Sequence, residues 1–179
     1  MNWYKTSQIQ DFEIPKIPYQ GVCYHGSTYR PEVGVFDNLS ADYSEWNAIW
    51  VCPEENIAET FASDWHGDDG TPVVFKVNVN LKSAANMRPF DKENWDALMD
   101  VFGYNDIRQL IPHLMDNGCD GWLSVGSIGQ ELYFDIAIFS RNVNVQEAKV
   151  KINGVWTPYM SLNDLSEKLK SEEKEDELV

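Results

Sequence analysis

From Val73 to Leu81, Val73, Phe75, Val77, Val79 and Leu81 are interleaved with Lys76, Asn78 and Asn80. A side-chain period of two belongs to a β-strand with one buried face. Further along, the period changes. Ile107, Leu110, Ile111 and Leu114 keep the i, i+3, i+4, i+7 spacing of one helical face, which predicts a helix over Asn105–Asn117. Asn117-Gly118 supplies its C-terminal stop. A second helix is expected over Lys92–Phe102. Strand signals surround this pair: Val22-Cys23-Tyr24, the apolar run Ala48-Ile49-Trp50-Val51-Cys52, Trp122–Val125, Glu131–Phe139 and part of Val143–Val155. Gly126 and Gly129 mark a turn between two of them. Strands, then helices, then strands imply an α+β fold of mainly antiparallel sheets with flanking helices.

The 179 residues suit one domain, expected over 1–160. Residues 1–20 read as an irregular lead-in, extended around Ile17 by Pro15 and Pro18. Residues 28–47 read as a loop with one helical turn near Ala41–Trp46. Pro53 suits the first turn of a helix carrying Ile57, Ala58 and Phe61 on one face. Residues 161–179 read as an acidic helix or tail, with Ser161 and Asp164 as its capping pair.

The net charge of −15 would repel a phosphate backbone, so a broad nucleic-acid interface is not expected. From Asp164 to Val179 there are seven acids against three bases, a solvated helix face or frayed end rather than a binding device. No run approaches the roughly 20 apolar residues of a membrane span. Met1–Asp11 lacks a signal-peptide layout, so a cytoplasmic protein is expected. Cys23, Cys52 and Cys119 show no metal-ligand spacing and read as small buried hydrophobes. No metal site is expected; Asp68-Asp69 lacks calcium-ligand spacing.

Four elements hold residue types that carry chemistry. Tyr24-His25-Gly26-Ser27 ends a strand, where a glycine lets a ligand approach the backbone. Trp50 lies on the apolar strand and Phe61 on the helix after it; taken singly, both read as core aromatics. Asp135 interrupts the apolar segment Phe134–Phe139. A carboxylate there is costly if buried alone, so it faces solvent or serves a site. Arg30, shortly after His25, has the reach for a pyrophosphate and equally the type of a surface ion-pair partner. His66 and His113 read as surface residues.

The order and spacing of these elements resemble the histidine–tyrosine–glutamate class of ADP-ribosyltransferases, which includes diphtheria-toxin-like enzymes, poly(ADP-ribose) polymerases and small phage-encoded transferases. In that class a Tyr-His-Gly segment ends the first strand. A strand of the type Gly-Ile-Tyr-Phe-Ala follows, and a second aromatic lies eleven positions after its tyrosine. Trp50 and Phe61 are eleven apart. The class places its catalytic glutamate before a strand of the type Tyr-Ile-Val-Tyr; here Asp135 precedes Ile136-Ala137-Ile138-Phe139. Gly118-Cys119-Asp120-Gly121-Trp122 is similar to the class's Gly-Tyr-Asp-Gly approach. The similarity spans about residues 22–145.

The resemblance implies an ADP-ribosyltransferase-like fold with NAD⁺ as co-substrate. Tyr24, His25, Gly26, Ser27 and Arg30 would line the NAD⁺ site. His25 would bond the ribose, and the Gly26 backbone would pair with the carboxamide. Trp50 and Phe61 would sandwich the nicotinamide ring. Asp135 would hold the ribose and orient or deprotonate the acceptor, with Glu131, on the same strand face, as the reserve carboxylate. Three positions depart from the pattern: Trp50 replaces a tyrosine, Ala58 replaces a serine, and Asp135 replaces a glutamate with a side chain roughly 1.5 Å shorter. The activity implied is mono-ADP-ribosyl transfer to a host protein side chain, as by a phage-encoded effector. Two alternatives stand beside it: a catalytically weak protein of the same fold that binds through its acidic surface, and an NAD⁺ glycohydrolase.

Overall fold

In the computed structural model the described residues are 14–29, 48–65, 70–88, 106–140 and 143–176, with positions 96, 99 and 103. Arg30, the helical turn near Ala41–Trp46, His66, Asp68-Asp69 and most of the helix expected over Lys92–Phe102 lie outside them. The elements are β1 (Lys16–Tyr29), β2 (Ile49–Val51), helix α1 (Glu55–Thr60), β3 (Thr71–Asn86), helix α2 (Ile111–Asp116), β4 (Gly121–Ile128), β5 (Glu131–Ile138), β6 (Asn144–Ile152), β7 (Val155–Trp156) and helix α3 (Leu162–Asp176). The fold is α+β, and among the described residues every strand pairing is antiparallel except the one between β3 and β4.

β3 organises the sheet. It runs beyond the alternating Val73–Leu81 segment at both ends, and it pairs with β1 along most of its length. On its other side it changes neighbours. Val73–Asn78 pair with β6, and Ala84–Asn86 pair with Gly121–Leu123 of β4. Asp120 seals the junction: its carboxylate accepts the backbone N–H of Lys82 at 2.7 Å and of Ser83 at 3.0 Å. Gly121 follows because a Cβ there would lie 2.5 Å from the Ala137 carbonyl oxygen. β5 joins β4 to β2. β2 returns to β1 through reciprocal bonds, Tyr24 N–H to Cys52 O at 2.7 Å and Cys52 N–H to Tyr24 O at 3.0 Å. The pairing β1-β3-β4-β5-β2-β1 therefore closes on itself, which leaves these strands few free edges.

Several local expectations change. Residues 16–20 belong to β1 rather than to an irregular lead-in. Pro18 has no N–H to donate, and the β1–β3 register shifts between Ile17 and Tyr19, where a missing donor is tolerated. Gly126 lies inside β4; the turn is at Gly129, with φ of 59°. The helix expected over Asn105–Asn117 divides into a 3₁₀ turn (Ile107–Leu110), capped by Asp106 and Gln109, and α2, which Pro112 opens. Gly118 ends it with φ of 75°.

Three apolar clusters hold the layers together. Cys23, Val51, Phe75, Leu123 and Ile136 pack inside the strand circuit, where Leu165 and Leu169 of α3 join them. The acidic C-terminal segment is thus tied to the core by one apolar stripe. On the outer face of β4 and β5, Trp122 and Ala137 pack with Ile111 and Leu114 of α2. Cys52, Val74 and α1 form the third cluster. All three cysteines are buried thiols, as expected.

Candidate functional site

The expected site residues arrive on β1, β2, α1 and β5. Tyr24 and Gly26 share one face of β1, turned toward α1. A Cβ on Gly26 would overlap the carbonyl oxygen of Ala58, so only glycine lets α1 sit this close. His25 and the buried Ser27 point to the other face with Cys23. The His25 Nδ1 lies 2.6 Å from the carbonyl oxygen of Trp50. A carbonyl only accepts, so Nδ1 carries the proton in this bond. His25 thereby ties the end of β1 to β2.

Trp50 is half-buried. It lies opposite Ala137 of β5 and meets Trp122 edge-on, ring centroids 5.1 Å apart. Phe61, also half-buried, opens the π-helical turn Phe61–Trp65 that continues α1. Such wide turns are rare and concentrate at functional sites. The Phe61 ring meets Tyr133 of β5 edge-on at 5.6 Å.

Asp135 stands between these two contacts. Tyr133, Asp135 and Ala137 alternate along β5 and share one face, with Phe61 over the first and Trp50 opposite the third. Trp50, Phe61, Tyr133 and Asp135 all keep partial exposure, whereas Ile49, Val51, Ile136 and Trp122 beside them are buried. The result is a half-open aromatic strip with one carboxyl in its middle. Desolvation raises the Asp135 pKa to about 7, against the lowering effect of the Ser124 hydroxyl and the Ile136 N–H. A carboxyl that titrates near neutrality can give and take a proton under ordinary conditions. Burial, then Glu54, then Asp135 push the Cys52 thiol up to about 12, and burial with Asp135 raises the Tyr133 phenol. Both therefore stay neutral beside the acid.

Glu131 begins β5 on the same face as Asp135, two alternations away and exposed, opposite Ile128. His25 stands on the face opposite Asp135, and its link to the strip runs through the Trp50 backbone. Tyr133, Ser124 and Trp122 are the site neighbours that the sequence reading did not single out. Tyr133 was within reach of it, being two residues before Asp135. Ser124 and Trp122 come from β4, and their approach depends on a strand register that no local pattern states.

A cleft of about 770 Å³ opens elsewhere, beside the point where β3 changes neighbours. Gln20, Asn78, Asn80, Asp120, Ser140 and Asn144 supply its polar lining. None of His25, Trp50, Phe61 and Asp135 borders it. Among the described residues no group of three or more His, Cys, Asp or Glu side chains is placed to hold a metal ion, and no helix is long and apolar enough to cross a membrane.

No protein-family model matches the chain, and no curated protein matches its sequence. Among solved structures, a chain from the crystal structure of the M. tuberculosis MbcT–MbcA toxin–antitoxin complex is similar over 87% of this chain and 92% of that chain, at 12% identity and a TM-score of 0.43.

Proposed function

We propose that the chain binds NAD⁺ along the Trp50–Asp135–Phe61 strip and transfers its ADP-ribose to a side chain of another protein. The observation that carries this reading is the position of Asp135, on the face it shares with Tyr133 and Ala137 between the two aromatic contacts. Flat rings on either side of an acid suit a cationic aromatic leaving group next to a ribose: stacking adds roughly 0.5–1.5 kcal/mol per contact beyond area burial, and the carboxylate faces the sugar. Breaking the C1′–N bond sends its electron pair to nicotinamide, which leaves neutral, and positive charge develops on the sugar as in glycoside cleavage. The Asp135 carboxylate stabilises that charge more in the transition state than in the ground state. The acceptor then bonds to C1′ and gives its proton to Asp135. In this reading His25 acts as a positioning residue for Trp50 through its bond to the Trp50 carbonyl, in place of the ribose contact that the resemblance implies, and the partner is the protein that supplies the acceptor.

The test is nicotinamide release from NAD⁺, with and without a cell lysate, alongside transfer of labelled ADP-ribose to lysate proteins. Release and labelling that require lysate, and fall at least 100-fold in Asp135→Asn, are the expected result. Release without lysate, with no labelling, moves the assignment to NAD⁺ hydrolysis. Full activity in Asp135→Asn with loss in Glu131→Gln moves the acid to Glu131. Absence of both release and NAD⁺ binding overturns the proposal and leaves the acidic surface as the functional part.

A further inference from the structure

Two side chains of β4 converge on Asp135 from the neighbouring strand. Ser124 is directly opposite it in the β4–β5 register, and the Ser124 hydroxyl donates to Asp135 Oδ2 at 3.4 Å. Trp122, two residues earlier on the same face, donates its indole N–H to Ser124 Oγ at 3.0 Å. Ser124 and Trp122 are both buried. An indole N–H can only donate. It therefore engages the hydroxyl as an acceptor and leaves its single hydrogen to be directed elsewhere. The acceptor in line with it is the carboxylate.

We infer that Ser124, oriented by Trp122, is a positioning residue for Asp135: the relay Trp122–Ser124–Asp135 holds one carboxylate oxygen and stabilises its ionised form. The inference deepens the proposed function and rests on Asp135 being the reacting carboxylate. It explains three features together. A serine occupies a buried strand position where an apolar residue would pack without needing a partner. Trp122 has its indole N–H satisfied inside a cluster that is otherwise apolar. Asp135, one methylene shorter than glutamate, keeps a fixed direction: Ser124 holds one oxygen from the neighbouring strand, and the Ile136 N–H bonds the carboxyl from its own strand. The distance of 3.4 Å is long for an O–H···O bond and shortens as negative charge concentrates on the oxygen. Among the described residues, the other titratable groups near the carboxyl are the Cys52 thiol at the end of β2 and the Tyr133 phenol on its own strand. Both stay neutral at working pH, so neither competes with Ser124 in setting the charge.

The test is a carboxyl-carbon NMR titration of Asp135 in the full chain, as wild type, Ser124→Ala, Ser124→Thr and Trp122→Phe. Removal of the hydroxyl raises the Asp135 midpoint by about one pH unit. Threonine, which keeps the hydroxyl, restores the wild-type midpoint. Trp122→Phe, which leaves the serine without its guide, gives an intermediate shift. In the NAD⁺ assay the acidic limb of the rate profile moves with the midpoint in each variant. An Asp135 midpoint unchanged in folded Ser124→Ala overturns the relay, whatever the activity. A midpoint that moves as stated in a protein that never cleaves NAD⁺ supports the relay and rejects the proposed function.

Discussion

Asp135, half-buried in the aromatic strip, gives the fold a pH dependence of its own. The unfolded chain gives up the Asp135 proton near pH 4, whereas the folded chain holds it to about pH 7. Between these values the folded state binds more protons than the unfolded state, so this group's contribution to stability falls as pH rises and levels off above about 7. Asp135→Asn removes that penalty. The variant is expected to unfold at higher urea than wild type at pH 8, by about 2 kcal/mol once the partial exposure of the residue is allowed for, and at an equal concentration near pH 4. Unfolding curves at the two pH values check it; a gain of the same size at both would assign it to packing. Gly26 makes a second point at this scale. Its missing Cβ is the space in which the Ala58 carbonyl sits. Gly26→Ala forces α1 away from β1, and a loss of about 2–3 kcal/mol is expected in chemical denaturation. Gly129→Ala serves as the comparison: nothing lies within 4 Å of an added Cβ there, and its only cost is the positive φ, about 1 kcal/mol.

At the scale of elements, α1 is short for a helix that must present Phe61. Six residues do not hold a helix in water by themselves. Its support is tertiary. Lys149 of β6, buried, places its ammonium on both Glu55 and Glu59, one turn apart on α1. The same ammonium lies over the rings of Trp156 and Tyr159, 5.2 and 5.1 Å from their centroids. Lys149→Met keeps most of the volume and removes the charge, leaving two carboxylates to repel one another. Because both glutamates keep partial access to water, the expected cost is about 1–2 kcal/mol rather than that of a fully buried pair. A double-mutant cycle with Glu59→Gln reads the coupling; purely additive effects would show that packing alone holds α1. At the other end of the chain, α3 is anchored by Leu165 and Leu169. Leu165→Ala opens a cavity in the core and is expected to cost about 2–5 kcal/mol.

Across the whole molecule, the excess of acid over base leaves a net charge of −15. Repulsion within such a surface opposes the compact state. Salt screens it over about 10 Å at 0.1 M, so the melting temperature is expected to rise between 20 and 300 mM NaCl. A fall over that range would mean that ion pairs such as Lys76–Glu147, at 3.3 Å, outweigh the repulsion.

The letters of the chain by themselves determined the α+β class, the core face of β3, the helical face of Ile111 and Leu114 and the end of α2 at Gly118. Each of these is decided by neighbours a few residues apart, through periodicity or a backbone conformation that glycine alone adopts readily. They also marked Asp135 as out of place in an apolar strand. Only the tertiary structure decided that β3 exchanges β6 for β4, that His25 points away from the face of the acid, and that Ser124 and Trp122 stand behind Asp135. Those facts depend on the register between strands distant in sequence. A shift of one residue in any pairing would turn every side chain to the other face without changing any local pattern.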